Sequence, residues 1–264
     1  MARIISVLFI VCFIAQRIAG GSAAAISEYP FAAALLTNGG SGSYQQACGG
    51  TILSASAILS AASCFYTNGT ADPASWWRSR VGSSNGNSGG TIHMIRLITA
   101  HPDFNSATLI NDLAVARTTV NIALQANVIE AARIVGTAYT ITNNQALKAI
   151  GWGAVSVSIR DSVDEGQTVD IWAVAPATCT TRYNSIGFTV TDSMVCAGWL
   201  DIGIRGQCQG DAGSPLLDGS GAVVGVFSWA QGCAQGRFPG INTRVTPYVN
   251  WIIATATATA TATA

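Results

Sequence analysis

Three short segments hold the residues with the most bearing on chemistry, and what they lack matters as much as what they hold. Leu59-Ser60-Ala61-Ala62-Ser63-Cys64 offers the Ser63 hydroxyl, Asn111-Asp112-Leu113-Ala114 offers the Asp112 carboxylate, and Gly210-Asp211-Ala212-Gly213-Ser214-Pro215 centres on a methyl group, Ala212. A carboxylate can accept or orient a proton. A hydroxyl is a very weak base near neutral pH. A methyl group cannot attack a carbonyl, so acyl-enzyme chemistry has no starting atom at Ala212. The chain has only two histidines, His93 and His101. His93 lies in the alternating run Thr91-Ile92-His93-Met94-Ile95 and reads as a strand residue; His101, in His101-Pro102-Asp103-Phe104-Asn105, reads as a loop residue.

Cysteine is the other reactive type. Of seven cysteines, Cys12 lies in residues 1–15, which read as a secretory signal: Arg3 at the start, then an apolar run from Ile4 to Ile14 that is too short to span a bilayer. Cys48, Cys64, Cys179, Cys196, Cys208 and Cys233 remain. An even count in a secreted chain reads as disulfides, with 15 pairings open to six cysteines. No C-x-x-C is present and histidine is scarce, so no metal site and no cofactor is expected. Net charge is zero over 264 residues and basic residues are not clustered, which argues against nucleic acid or an anionic membrane as partner. Twelve of the thirteen basic residues are arginine and one is Lys148. Arginine keeps its charge well above the range where lysine loses it, so a strongly alkaline lumen would favour the bias; drift in an alanine-rich gene explains it equally well.

Positioning these residues falls to short β-type runs, among them Thr51–Leu53, Ile92–Ile98, Leu147–Ile150 and Val223–Phe227, separated by Gly, Asn and Ser turns. Regular spacing and few helical patterns argue for an all-β barrel or sandwich. Gly82 to Gly90 reads as a loop. One helix is expected near 247–254, opened by Thr246-Pro247. Residues 254–264 alternate Ala and Thr and read as a frayed helix end or a disordered tail. Asn68-Gly69-Thr70 is an N-glycosylation sequon.

Taken in order, the motifs resemble the trypsin-like serine proteases over roughly Ile18 to Ile253. Arg17-Ile18-Ala19-Gly20-Gly21 is similar to the family's R-I-V-G-G activation site, Cys48-Gly49-Gly50-Thr51 to C-G-G-S/T, Gly151-Trp152-Gly153 to G-W-G, and Ser228-Trp229-Ala230 to S-W-G, with Pro239-Gly240 following. Leu59–Cys64 resembles L-T-A-A-H-C with Ser63 at the histidine, Asn111–Ala114 resembles N-D-I-A, and Gly210–Pro215 resembles G-D-S-G-G-P with Ala212 at the serine. Cys196-Ala197-Gly198-Trp199-Leu200-Asp201 looks most like digestive trypsins of moths and butterflies. The resemblance implies two perpendicular six-stranded antiparallel β-barrels, about 18–130 and 131–245, after a pro-piece at 16–17. It also implies the pairs Cys48–Cys64, Cys179–Cys196 and Cys208–Cys233. In its terms the triad positions are Ser63, Asp112 and Ala212, and the oxyanion hole is Gly210 with Ala212. The specificity pocket is Gly206, Gln207, Ser228, Trp229, Ala230 and Gly240; activation uses Arg17, Ile18 and Asp211.

Gly206 stands where trypsins carry the pocket aspartate, so a substrate Arg or Lys would lack its counter-charge. Ala230 and Ser214 each replace a glycine, and Ser214 would be strained if its backbone needs a positive φ. These departures give the expectation of a secreted, extracellular, monomeric serine-protease homologue in an alkaline gut lumen. It would be no enzyme, and would act by binding a protein or peptide ligand, protease inhibitors included. The alternative is a serine-type endopeptidase, a digestive trypsin-like protease either active through a rearranged site or inactivated artificially.

Overall fold

The computed structural model describes residues 20–154 and 164–258. The expected signal, pro-piece and activation residues Arg17 and Ile18, and the end of the Ala/Thr tail, lie outside the described residues.

Six strands close the first barrel: β1 (Ala32–Thr37), β2 (Gln45–Ser54), β3 (Ala57–Ser60), β4 (Trp77–Val81), β5 (Thr91–Ala100) and β6 (Ala114–Thr118). Their order around the ring is β1-β2-β3-β6-β5-β4, every pairing antiparallel. Alternation along β4 shows why this segment is a strand: Trp77, Ser79 and Val81 are buried while Arg78 and Arg80 are partly exposed. The second barrel is built from β7 (Ala146–Gly151), β8 (Gln167–Val174), β9 (Met194–Gly198), β10 (Pro215–Leu217), β11 (Val223–Trp229) and β12 (Gly240–Arg244). It runs β8-β7-β10-β11-β12-β9 and closes through β8 with β9; a short strand, Ser22–Ala23, adds to the outer edge of β8. Closure removes the free edges that an open sheet of this length would present. The all-β fold with two six-stranded antiparallel barrels is thus the one the resemblance implied.

Two helices accompany the barrels. α1 (Pro176–Asn184) starts with proline at its first position, where the ring costs no hydrogen bond; the sequence reading missed it. α2 (Val249–Thr257) follows a single 3-10 turn, Thr246–Tyr248, so the C-terminal helix begins later and runs further than 247–254, taking in the first Ala-Thr repeats. Val249, Ile252 and Ala256 are its buried face. Arg117, on β6 of the first barrel, donates from Nη1 to the carbonyls of Thr255 (3.1 Å), Ala256 (3.0 Å) and Ala258 (2.8 Å). A cation therefore meets the carbonyl end of the helix, where its dipole is negative.

The three disulfides are Cys48–Cys64, Cys179–Cys196 and Cys208–Cys233, as the resemblance implied. Asn68 is exposed in a hairpin turn at φ 51°. His93 is buried in β5, and His101 packs its ring on Tyr248 (5.1 Å) and Trp251 (4.9 Å), at the foot of α2. Ser214 does not have a positive φ; Gly213 takes that conformation at 83°. The expected strain at Ser214 is thus absent, because the left-handed turn falls one residue earlier.

Candidate active site

Both barrels contribute to one cleft. Ser63 sits in a 3-10 turn, Ala62–Phe65, which the Cys48–Cys64 bridge ties to β2. Asp112 precedes β6, after Asn111 in a left-handed conformation (φ 57°) that turns the chain inward. Its carboxylate is fully buried. Oδ1 accepts the Ser63 amide (2.7 Å), and Oδ2 accepts both the Ser63 hydroxyl (2.8 Å) and the Ser228 hydroxyl from β11 (2.5 Å). Burial pushes the Asp112 pKa up, and the Ser228 and Ser63 donors oppose that without cancelling it. A buried carboxylate with raised basicity is a better proton acceptor than one in water.

Ala212 comes from the second barrel. Its carbonyl accepts the Gly49 amide (2.8 Å), which joins the loop to β2 of the first barrel. Among the described residues neither the Gly210 amide nor the Ala212 amide donates to the protein, and both residues line a cavity of about 380 Å³. Ser228, Trp229 and Ala230 line it too, together with Phe227, Gln209 and Gly232, which the motif comparison did not single out. Gly206, Gln207 and Gly240 are not part of that wall. Gly206 and Gln207 are buried, and Gly240 is half-buried.

Beneath the loop, Asp211 is buried without exposure; it accepts the Gly153 amide (2.8 Å) at Oδ1 and the Cys208 amide (2.9 Å) at Oδ2. Burial outweighs these two donors and lifts its pKa to about 7. The glycines of Gly151-Trp152-Gly153 make room for it. A Cβ at Gly153 would lie 2.5 Å from the carboxyl carbon, and one at Gly151 would collide with Oδ1. No cluster of metal-ligand side chains occurs among the described residues, and no described helix is long and apolar enough to cross a membrane.

A pair of antiparallel barrels with a buried aspartate at their junction, a loop of free amides and a lined pocket defines a chymotrypsin-type protease architecture. Residues 18–252 match the trypsin family, and the chain belongs to it. It is 48% identical to alkaline trypsin A of Manduca sexta over 90% of each chain. It is 47% identical to trypsin CFT-1 of Choristoneura fumiferana over 91% of each, and 43% identical to achelase-1 of Lonomia achelous over 81% of this chain and 99% of that one. Kinship this close to proteins named as trypsins overturns the expectation that the chain is not an enzyme. That expectation weighed four departures, Ser63, Ala212, Gly206 and Ala230, against the motifs and disulfides that are retained.

Proposed function

We propose that the chain is a secreted serine-type endopeptidase of the digestive trypsin kind, working through a rearranged site. The observation that carries this reading is the buried Asp112 carboxylate holding the Ser63 hydroxyl at 2.8 Å, with the next residue, Cys64, placing its Sγ 3.5 Å from the Ala212 carbonyl of the loop. Water is the nucleophile. Its proton passes to Ser63 Oγ as the Ser63 proton passes to Asp112 Oδ2, and the resulting hydroxide adds to the scissile carbonyl carbon. The oxyanion is met by the Gly210 and Ala212 amides, donors already oriented at no cost during the reaction. Collapse breaks the C–N bond, and the proton returns from Asp112 through Ser63 to the leaving amine. No acyl-enzyme forms, because Ala212 carries no nucleophile.

The magnitude follows from the parts that remain. Losing nucleophile and base costs about 10⁶ in turnover in a related triad system. Oxyanion donors and binding alone retain roughly 10³-fold over water. Purified protein cleaved after Arg17, incubated with casein and a panel of peptide esters, should therefore hydrolyse them about 10³-fold faster than buffer. Asp112→Asn, which leaves the amides and the binding surface in place, should keep roughly that 10³-fold margin and lose only what the Asp112–Ser63 relay adds to it. Hydrolysis no faster than buffer, in the presence of a folded protein, overturns the proposal.

A further inference from the structure

The cleft cavity of about 380 Å³ is walled without charge: among the described residues no Asp, Glu, Lys or Arg lines it. Most of the wall is apolar. Phe227 and Trp229 supply two rings, the Cys208–Cys233 bridge two sulfurs, and Ala212 and Ala230 two methyl groups. Trp229 is fixed in place edge-to-face, its ring 4.5 Å from Phe188 and 5.3 Å from Tyr183. Two polar side chains share the wall. Ser228 already donates its hydroxyl proton to Asp112, and Gln209 is exposed. The buried carboxylates of this region do not reach the cavity. Asp112 and Asp211 are engaged by hydroxyl and amide donors, and neither lines the wall. Gly206 brings no carboxylate.

We infer that this pocket selects a large apolar side chain, aliphatic or aromatic, on the residue before the scissile bond, and rejects arginine and lysine. The inference rests on the cleft binding peptides as proposed above. Gly210 and Ala212 line the same cavity. A residue whose carbonyl oxygen meets their amides therefore has its own side chain beside that wall. Contact with Phe227, Trp229 and the Cys208–Cys233 bridge takes an apolar side chain out of water, and the gain grows with the area covered. A cavity of this size, lined by rings and few polar groups, suits such a group. A guanidinium or ammonium would be desolvated with no counter-charge in the wall. A carboxamide would give up its bonds to water without replacing them, since the Ser228 proton is committed to Asp112.

The test reads binding rather than turnover, so that it can fail separately from the endopeptidase reading. Disulfide-closed peptide loops differing only at the exposed residue (Leu, Phe, Gln, Asp, Lys or Arg) are titrated calorimetrically into the protein cleaved after Arg17. The Leu and Phe loops should bind at least ~10-fold more tightly than the other four, the equivalent of about 1.4 kcal/mol. Ala230→Asp, checked for a native unfolding transition, puts a carboxylate into the wall and should turn the preference toward the Lys and Arg loops. Tightest binding by the Gln, Asp, Lys or Arg loop, or equal binding of all six, a complete lack of binding included, overturns the inference whether or not the variant folds. A folded Ala230→Asp that still prefers Leu overturns it as well, because the wall would then not be what selects. An apolar preference with no hydrolysis of any substrate would leave the inference standing and remove the endopeptidase reading.

Discussion

Asp112 shows how one carboxylate can tie two barrels together. Its three donors come from Ser63 in the first barrel and Ser228 in the second, so Asp112→Asn should weaken both attachments and lower stability by ~1–3 kcal/mol in urea titration. Asp211 is a second buried carboxyl with a different signature. Its pKa rises from 3.8 to about 7, so between those values the folded chain holds a proton that the unfolded chain has released. Stability then falls as pH rises through that window. In the chain not cleaved after Arg17, where no Ile18 amine exists, urea midpoints at pH 4, 5.5 and 7 should decline. In Asp211→Asn that part of the decline should vanish. An unchanged slope in the variant would show that Asp211 ionises normally. The chemical type of both residues was legible in their motifs. The resemblance also implied that Asp112 is buried beside Ser63 and Ser228, as it is; the burial of Asp211 was not legible, because it depends on a segment distant in sequence, Gly153.

Elements were legible where local chemistry announces them and illegible where a partner decides. The runs within β5, β7 and β11 were readable, because β-branched and alternating apolar residues fit a half-buried pleat whatever they pair with. α1 was missed because Thr178, Thr180 and Thr181 are indifferent helix formers; Pro176 and the tie from Cys179 to β9 hold it. The extent of α2 was misjudged for a similar reason: its last turn is Ala and Thr, and Arg117 holds that turn from another barrel. Arg117→Met keeps the aliphatic stem but removes three bonds to helix carbonyls. It should cost about 1–3 kcal/mol and speed amide exchange at 254–258 selectively, with β6 still protected. Gly153→Ala should be more severe than its one methyl suggests, since that methyl meets the Asp211 carboxylate. The unfolding midpoint should drop well below that of Gly136→Ala, where a Cβ would meet nothing within 4 Å.

At the scale of the molecule, the cleft exists only because two barrels meet, and family membership could be read from ordered motifs spread over both. The departures at Ser63, Ala212, Gly206 and Ala230 carried too much weight against the rest; the first two are the ones with catalytic side chains to lose. Rebuilding them tests that weight. Ser63→His with Ala212→Ser restores a base that Asp112 can orient and a nucleophile beside the Gly210 amide. Turnover on peptide esters should rise by at least ~10³-fold over the parent, with burst kinetics reporting an acyl-enzyme. Failure to rise would mean that the barrels no longer meet at catalytic distance. The contact between Arg117 and the end of α2 has a consequence for biosynthesis. Arg117 leaves the ribosome long before residue 255 does, and until then its buried guanidinium has no carbonyls to meet. The first barrel therefore waits, incompletely satisfied, for the last turn of α2. Contacts of such long sequence separation form slowly. Completion of the fold is thereby deferred until residues 255–258 have left the ribosome, so that a nascent chain stalled short of them carries a barrel not yet sealed.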